Sequence, residues 1–331
     1  MNKEELLQDL WGKINSGEIS KEEIASLLKN TEPTTKEISA TKKVSHLPVA
    51  RMLYAIGAVI VLVGIIFFIA QIWDDIGSFG RILLTLGLGI VFVFLGVNLV
   101  RKQADNLIGQ VFHVIGGLLI PGGYFVLIEE LNISTRTPWP FTFVFGKIFL
   151  VYLVLTIIQK VPILTFFTIA NGTAFVYFLV FSIIDGIPYI DDEIISVYLT
   201  MIVGSSYFFL SRAFQNTWNE KLNRALYLFG SIFVFGAAFS RVFDSELWQF
   251  LYFLVIFGGL YLSIYLKSQI ILVMSTIFLI AHISYITSEY FADSLGWPIS
   301  LVILGFIFIG LGYASVNINK KYINSTEQPL Q

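Results

Sequence analysis

Four residues within otherwise apolar segments have side chains that could form a polar site. They are a proline, a lysine, an asparagine and a histidine, at Pro121, Lys147, Asn171 and His282. Lysine and histidine carry protons, asparagine coordinates ions, and proline frees a backbone carbonyl because it has no amide hydrogen. Transporters place such groups at interrupted helices near their substrate sites. The four residues are therefore the candidate polar cavity of a carrier for a small solute or ion.

Each of these residues also has a purely structural interpretation, which the sequence leaves open. Pro121 follows the stretch "HVIGGLLI", and its ring would clash with the carbonyl of Gly117, so a bare helix kink is the alternative to a binding site. Asn171 and His282 can each be satisfied by hydrogen bonds of about 1 kcal/mol to a neighbouring helix. An interior packed through glycine would favour this interpretation, whereas a water-sized cavity lined by the four side chains would favour transport.

Lys147 is also a candidate partner in an ion pair. A charge deep in the hydrocarbon costs about 2.5–3.5 kcal/mol on insertion scales. Lys147 lies about a turn and a half inside a predicted helix end, so its long side chain can extend towards the headgroups. Glu129 and Glu130 end the preceding apolar segment at the same predicted face. We therefore predict an ion pair between Lys147 and one of these glutamates.

Catalytic, cofactor and metal sites are not predicted. The chain has no cysteine and three histidines. His113 and His282 lie about 9 Å and about 20 Å from the predicted inner face, too far apart in depth to share a metal ion. No phosphate-binding loop, dinucleotide-binding fingerprint or catalytic serine motif is present. A net charge of −2 also argues against a nucleic-acid partner. We expect a protein that is not an enzyme and needs no cofactor.

The composition indicates that membrane-spanning helices position these residues. The 331 residues are 56% hydrophobic and 13% charged, whereas soluble domains average about 25% charged residues. A helix needs about 20 apolar residues to cross the hydrocarbon. Ten segments meet this need: 52–73, 82–100, 107–128, 140–158, 161–184, 194–210, 222–239, 247–266, 269–287 and 297–316. We predict an all-α polytopic bundle of about ten transmembrane helices over residues 49–318, in contact with the lipid bilayer, with a tail over 319–331.

The distribution of lysine and arginine predicts the orientation of these helices, because cytoplasmic loops are enriched in both. With a cytoplasmic N-terminus, the inner positions collect Lys42, Lys43, Arg51, Arg101, Lys102, Lys160, Arg212, Lys221, Arg224, Lys267, Lys320 and Lys321. The outer loops then hold Arg81, Arg136 and Arg241 together with most of the acidic residues. We predict a multi-pass protein of the inner, or plasma, membrane with both termini in the cytoplasm.

The N-terminal residues are polar and amphipathic rather than membrane-spanning. Residues 1–30 predict a small cytoplasmic helical hairpin, whose second helix begins with a capping box formed by Ser20 and Glu23. Residues 31–48 have no apolar period and predict a flexible linker. A hairpin this short buries too little area to be stable alone. We expect its apolar face to bind a protein partner or a second copy of the chain; the membrane surface and the rest of the chain are the alternatives.

Glycines recur every seven residues in several predicted helices. The sets are Gly57 and Gly64; Gly89 and Gly96; Gly109, Gly116 and Gly123; and Gly305 and Gly312. Seven residues are nearly two helical turns, so each set lies along one face of its helix. A glycine face lets a neighbouring backbone approach closely, which is how membrane helices associate. The alternative is that these faces line a pore.

The segment around the first predicted helix resembles a known family. The features that carry the resemblance are a glycine-rich first helix, the stretch "IAQIWDDI" over 69–76 with Ala70, Trp73 and Asp74, then Arg81 and a second glycine-rich helix. The family consists of predicted bacterial multi-pass membrane proteins and is catalogued only as a domain of unknown function. The N-terminal stretch also resembles a short oligomerisation-type hairpin, through Gly17, Ile19, Ser20, Glu22 and Glu23. Neither resemblance implies a catalytic residue.

Two functions are consistent with this sequence. The first is a non-enzymatic membrane scaffold or regulator, in which the N-terminal hairpin recruits a partner. The second is a secondary transporter with a polar cavity in the outer third of the membrane. We favour the first because aspartate and glutamate fall almost wholly at predicted helix ends, whereas a proton- or sodium-coupled carrier usually needs a carboxylate inside the membrane.

Overall fold

The structure is a computed structural model, and the part of the chain that it describes is helical throughout. This part comprises residues 11–13, 16, 47–102, 107–188, 191–291 and 297–323, and it contains no strand. The predicted all-α class is therefore confirmed. Most of the predicted hairpin over 1–30, nearly all of the linker over 31–48 and most of the tail over 319–331 lie outside the described residues. The domain boundaries proposed there stay predictions.

Ten long helices lie within the described ranges, one for each predicted segment. They are α1 (Leu47–Gln71), α2 (Ser78–Lys102), α3 (Leu107–Glu130), α4 (Trp139–Gln159), α5 (Pro162–Ile184), α6 (Asp192–Ala213), α7 (Asn223–Ser240), α8 (Glu246–Tyr265), α9 (Gln269–Phe291) and α10 (Trp297–Ile318). Among the described residues, α1 to α9 are long and apolar enough to cross a membrane. Helix α10 has 22 residues, a length that also suffices for a span.

Local sequence signals set the helix ends. Asp191 caps α6 by accepting hydrogen bonds from the amides of Glu193 and Ile194, which satisfies donors that have no partner within the helix. Lys160 and Lys267 adopt a left-handed backbone with φ of 53° and 50°, the conformation in which helices commonly terminate. The two short turns therefore reverse the chain, and α4 packs against α5 and α8 against α9.

Two helices contain features that normally disturb an α-helix. Helix α2 includes a π-helical turn over Leu83–Gly87, a distortion that appears mostly as a single-turn bulge. Helix α3 contains Pro121, yet it is helical without interruption from Leu107 to Glu130. Helix α3 is therefore not a broken helix.

Helices packed in sequential pairs form the core. The chain divides into two compact units, Met1–Val61 and Leu62–Gln331. In the second unit, the closest pairs are α2 with α3, α4 with α5, α6 with α7, and α8 with α9. One apolar cluster contains residues of α2, α3, α4 and α5 and is centred on Tyr152, Leu164 and Phe167. Another joins α7 to α9, around Tyr252 and Ile256. The core of this unit is therefore divided among separate apolar clusters.

Glycines bring α2 and α3 into backbone contact. A Cβ atom placed on Gly116 would lie 2.6 Å from Val93 Cγ2 and 2.8 Å from the carbonyl oxygen of Gly89. A Cβ on Gly96 would lie 2.8 Å from the ring of His113 and 3.0 Å from the carbonyl of Gly109. Real Cβ atoms essentially never approach other atoms below about 3 Å, because van der Waals repulsion rises steeply at shorter distances. The predicted packing role of the glycine faces on α2 and α3 is confirmed.

Candidate functional site

Pro121 lies beside an apolar contact. Its half-buried ring follows Gly117 by one turn of α3. A Cβ atom on Gly117 would collide with the ring of Phe167 from α5. A phenyl ring therefore packs against Gly117, in the turn of α3 from which Pro121 removes a hydrogen bond. At this position the structure shows close helix packing.

Lys147 and the two glutamates are not brought together. Lys147 is exposed on α4, between Phe143 and Val151, which are 64% and 55% exposed on the same face. Within the described ranges it forms no ion pair with a glutamate. Glu130 instead accepts a hydrogen bond from Arg81 at 2.8 Å. The structure therefore places Lys147 on the outer surface of the bundle, among side chains that face lipid.

Asn171 and His282 are both buried, but in different clusters. Asn171 is 5% exposed and donates a hydrogen bond of 2.8 Å to the carbonyl of Phe167, one turn earlier in α5. His282 is fully buried in α9, and its Nε2 lies 2.9 Å from the carbonyl oxygen of Gln249 in α8. The rings of Tyr252 and Phe253 lie 4.8 and 4.6 Å from the histidine ring, centroid to centroid. Asn171 and His282 thus have separate surroundings, and a cavity shared by the four candidate residues stays a prediction.

An arginine that the sequence indicated as a family feature and as an outer-loop charge organises one end of the bundle. Arg81 extends from α2, donates to Glu130 at the end of α3, and donates through Nε to the carbonyl of Trp73 at 3.0 Å. Its guanidinium also lies 4.8 Å from the centre of the Trp73 ring, a favourable cation–π distance. The side chains of Arg81 and Glu130 are only 24% and 11% exposed. This cluster ties the exit from α1 to α2 and α3.

A second buried network joins α2, α3 and α4 near their opposite ends. His113 is fully buried, and its Nε2 lies 3.1 Å from Gln159 Oε1. The same glutamine donates through Nε2 to the carbonyl of Val97 at 3.2 Å. Gln159 thereby satisfies polar groups on two neighbouring helices, which fixes the last turn of α4. No signal in the sequence indicates this pairing, because the two residues are 46 positions apart.

A polar pocket of about 880 Å³ opens beside Gln159. We call it the basic pocket. It is lined by Gln110, Gln159, Lys160, Val161, Pro162, Thr217, Trp218, Glu220, Lys221 and Arg224. The lining comes from the first turns of α3, α5 and α7, from the end of α4 and from the loop between α6 and α7. The positive-charge rule predicts all of these positions on one side of the membrane, and the structure brings them together.

An apolar groove of about 240 Å³ lies next to the basic pocket. Its lining residues are Phe166, Ile169, Ala170, Thr173, Tyr207, Leu222, Ala225, Leu226, Phe229 and Phe233. The hydroxyls of Thr173 and Tyr207 bond to each other at 2.7 Å. Because these two hydroxyls bond to each other, the surface of the groove is almost wholly apolar. The groove runs along α5 and α7, two of the three helices whose first turns line the pocket.

Within the described ranges, no group of three or more histidine, aspartate and glutamate side chains lies close enough together to hold a metal ion. The acidic residues of the loop before α6 act locally, as Asp191 does in capping that helix. The expectation that the protein has no catalytic centre or cofactor stays a prediction.

Comparison with known proteins adds a family for the first part of the chain. No match was found among curated proteins or among solved structures. The resemblance of the N-terminal stretch to an oligomerisation hairpin is untested and stays a prediction. Residues 14–158, which run through α1 to α4, match the family described as "Predicted membrane protein (DUF2157)". This match confirms, over a longer range, the resemblance first seen around Trp73 and Arg81. The chain is therefore a membrane protein of unknown biochemical activity.

Proposed function

We propose that this membrane protein is a non-enzymatic scaffold or regulator of the plasma membrane, with both termini in the cytoplasm. The observation that supports it most directly is the contact between α2 and α3, where Gly116 and Gly123 lie against the backbone of α2. Helices locked together through their backbones form a rigid frame. Such a frame suits a protein that presents a partner-binding segment at the membrane.

Two pairs of internal hydroxyls support the same proposal, because they bond between helices. Thr142 bonds to Ser182 at 2.7 Å, and Thr156 bonds to Thr168 at 2.9 Å, in both cases between α4 and α5. Such hydrogen bonds link membrane helices and leave fewer free ligands for a solute. Within the described spans, carboxylates occur only near helix ends. Both features argue against the alternative, a carrier driven by protons or sodium.

The accessibility of introduced cysteines to a thiol reagent distinguishes the scaffold hypothesis from the carrier hypothesis. The chain has no cysteine, so single cysteines can be introduced at Ser182, Ser263 and Lys221 and exposed to a membrane-impermeant thiol reagent. We expect Ser182→Cys and Ser263→Cys to resist labelling from both sides, because both serines are buried between helices. Lys221→Cys, in the basic pocket, should react from the cytoplasmic side only.

The carrier alternative predicts a different pattern, since alternating access exposes interior positions to each side in turn. Labelling of Ser182→Cys or Ser263→Cys from both sides would contradict the scaffold and favour transport. Labelling of Lys221→Cys from the outer side alone would contradict the proposed orientation. A fully denatured sample of each variant controls for the reactivity of the cysteine itself.

The partner-binding role of the N-terminal segment has its own test. We expect the full chain to associate with a partner or a second copy, and a chain lacking residues 1–46 to lose this association. The shortened chain should keep the unfolding temperature of the full chain, because its helices from α1 onward remain. Mass measurement in detergent and cross-linking in the membrane both report the change. Equal association of the two chains would contradict the proposed role.

A further inference from the structure

We propose that the basic pocket and the adjoining groove bind one anionic phospholipid, with its phosphate in the pocket and an acyl chain in the groove. This inference goes beyond the scaffold proposal and does not depend on it. It rests on three features of the described residues. These are an excess of cations over carboxylates in the pocket lining, a pocket wall fixed by buried hydrogen bonds, and a groove lined by the next turns of two of the same helices.

The lining of the pocket carries more positive than negative charge. Lys160, Lys221 and Arg224 all line it, all three are exposed, and none forms an ion pair in the described part of the chain. The only carboxylate in the lining is that of Glu220. Lysine and arginine at the headgroup level attract anionic lipids, and the arginine guanidinium matches phosphate oxygens in a two-pronged geometry. The pocket therefore favours a phosphate-bearing ligand.

The walls of the pocket are held in place before any ligand binds. Gln159 is fixed by its bonds to His113 and to the carbonyl of Val97. The loop that carries Trp218 and Lys221 is fixed by Asn219, which is buried and accepts a hydrogen bond of 2.8 Å from Thr165 of α5. A ligand therefore need not order the loop, and a preformed site loses less free energy on binding.

The groove is lined by the turns of α5 and α7 that follow the turns lining the pocket. On α5, Val161 and Pro162 line the pocket, and Phe166 to Thr173 line the groove. On α7, Arg224 lines the pocket, and Ala225 to Phe233 line the groove. At about 1.5 Å per residue, the groove reaches roughly 14–16 Å beyond the pocket. A polar head joined to a long apolar chain matches this shape, whereas a soluble anion would leave the groove unused.

The position in the membrane also favours a lipid. The basic pocket lies at helix ends, where phospholipid headgroups meet the protein. Trp218, which is 38% exposed, lies in the pocket wall, and tryptophan is enriched at the headgroup level. A pocket of about 880 Å³ is large enough for a phosphoglycerol headgroup. Phosphatidylglycerol is therefore a suitable probe, and phosphatidylcholine with the same acyl chains is its neutral counterpart.

The test measures lipid binding to the purified full chain in detergent, through the shift in unfolding temperature as each lipid is titrated. Phosphatidylglycerol should stabilise the protein at lower concentration than phosphatidylcholine. Lys221→Ala/Arg224→Ala should weaken phosphatidylglycerol binding by about 25-fold, since each cation near the surface contributes about fivefold. Arg101→Ala/Lys102→Ala removes two exposed cations from the last turn of α2, outside the pocket, and should leave binding unchanged.

Two further variants keep the test decisive if the double variant fails to fold. Lys160→Asn removes one charge while keeping a residue that tolerates the left-handed backbone at this position, and it should weaken binding about fivefold. Ala225→Leu narrows the groove without changing the charge, so it should weaken lipid binding and leave the binding of inorganic phosphate unchanged.

Three outcomes would overturn the proposal. The first is equal stabilisation by the anionic and the neutral lipid. The second is unchanged phosphatidylglycerol affinity in both Lys160→Asn and Lys221→Ala/Arg224→Ala. The third is stabilisation by inorganic phosphate at the same concentrations as the lipid with no effect of Ala225→Leu, which would assign the pocket to a soluble anion.

Discussion

Replacing Gly123 with alanine will destabilise the protein, whereas the same substitution at the neighbouring Gly122 will not. A Cβ atom on Gly123 would lie 2.5 Å from both Cα and the amide nitrogen of Leu86, and 2.8 Å from its Cβ. The clash is with backbone in the π-helical turn of α2, which cannot move aside like the end of a flexible side chain. Overpacking of this kind costs about 1–3 kcal/mol.

Gly122 provides the matched control, because it is the adjacent residue in the same helix. A Cβ there would have no neighbour within 4 Å among the described residues. Alanine also favours a helix over glycine by up to about 1 kcal/mol, so Gly122→Ala should leave stability unchanged or raise it slightly. Thermal unfolding of the three purified proteins in the same detergent, at one heating rate, measures both effects. Equal unfolding temperatures for the two variants would show that α2 and α3 are not in backbone contact.

The glycine faces show how far the sequence can predict packing. A repeat of seven residues identifies a face of a helix, and on α2 and α3 that face does meet a partner. The same repeat on α10 does not, because a Cβ on Gly305 or Gly312 would have no neighbour within 4 Å in the described ranges. Periodicity locates a smooth face along a helix axis. Whether another helix covers it depends on the order of helices around the bundle, which no single segment encodes.

The candidate cavity illustrates the same restriction for polar residues. Pro121, Lys147 and His282 have similar predicted depths in the membrane, because position along a helix follows from counting residues. To line one cavity, residues must lie at the same depth and their side chains must also point towards each other, and counting residues gives only the depth. The structure places Lys147 on the exposed surface and His282 among aromatic rings of α7 and α8. Equal depth therefore did not bring these residues together.

The cations of the basic pocket were recognised in the sequence, but as signals of membrane orientation and not as a site. Lys160, Lys221 and Arg224 predict membrane orientation, and charge counting treats each as an independent marker of a cytoplasmic loop. Their convergence depends on which loops meet at the end of the bundle. It also depends on buried bonds such as that from Thr165 to Asn219, which joins residues 54 positions apart. Orientation is thus readable from composition, whereas the pocket requires the tertiary arrangement.

Replacing Arg81 with alanine will also lower stability markedly, because it leaves Glu130 without its cation. The two side chains bond at 2.8 Å and are 24% and 11% exposed. Removing one member of a largely buried pair leaves an uncompensated charge, which costs more than the pair contributes. Arg81→Ala also removes the bond to the carbonyl of Trp73 and the contact with its ring. Arg81→Lys should not restore stability, since an ammonium cannot reproduce these directed contacts from a planar guanidinium.

A double-mutant cycle separates the ion pair from the other contacts of Arg81. Unfolding temperatures of Arg81→Ala, Glu130→Ala and the double variant should show a loss in the double variant smaller than the sum of the two single losses. Glu129→Ala is the matched control, since Glu129 is exposed and forms no ion pair in the described part of the chain, and its effect should be several-fold smaller. Additive losses would contradict the pairing. Coupled losses would show that Arg81, one of the residues on which the family resemblance rests, joins α2 to the end of α3 through Glu130.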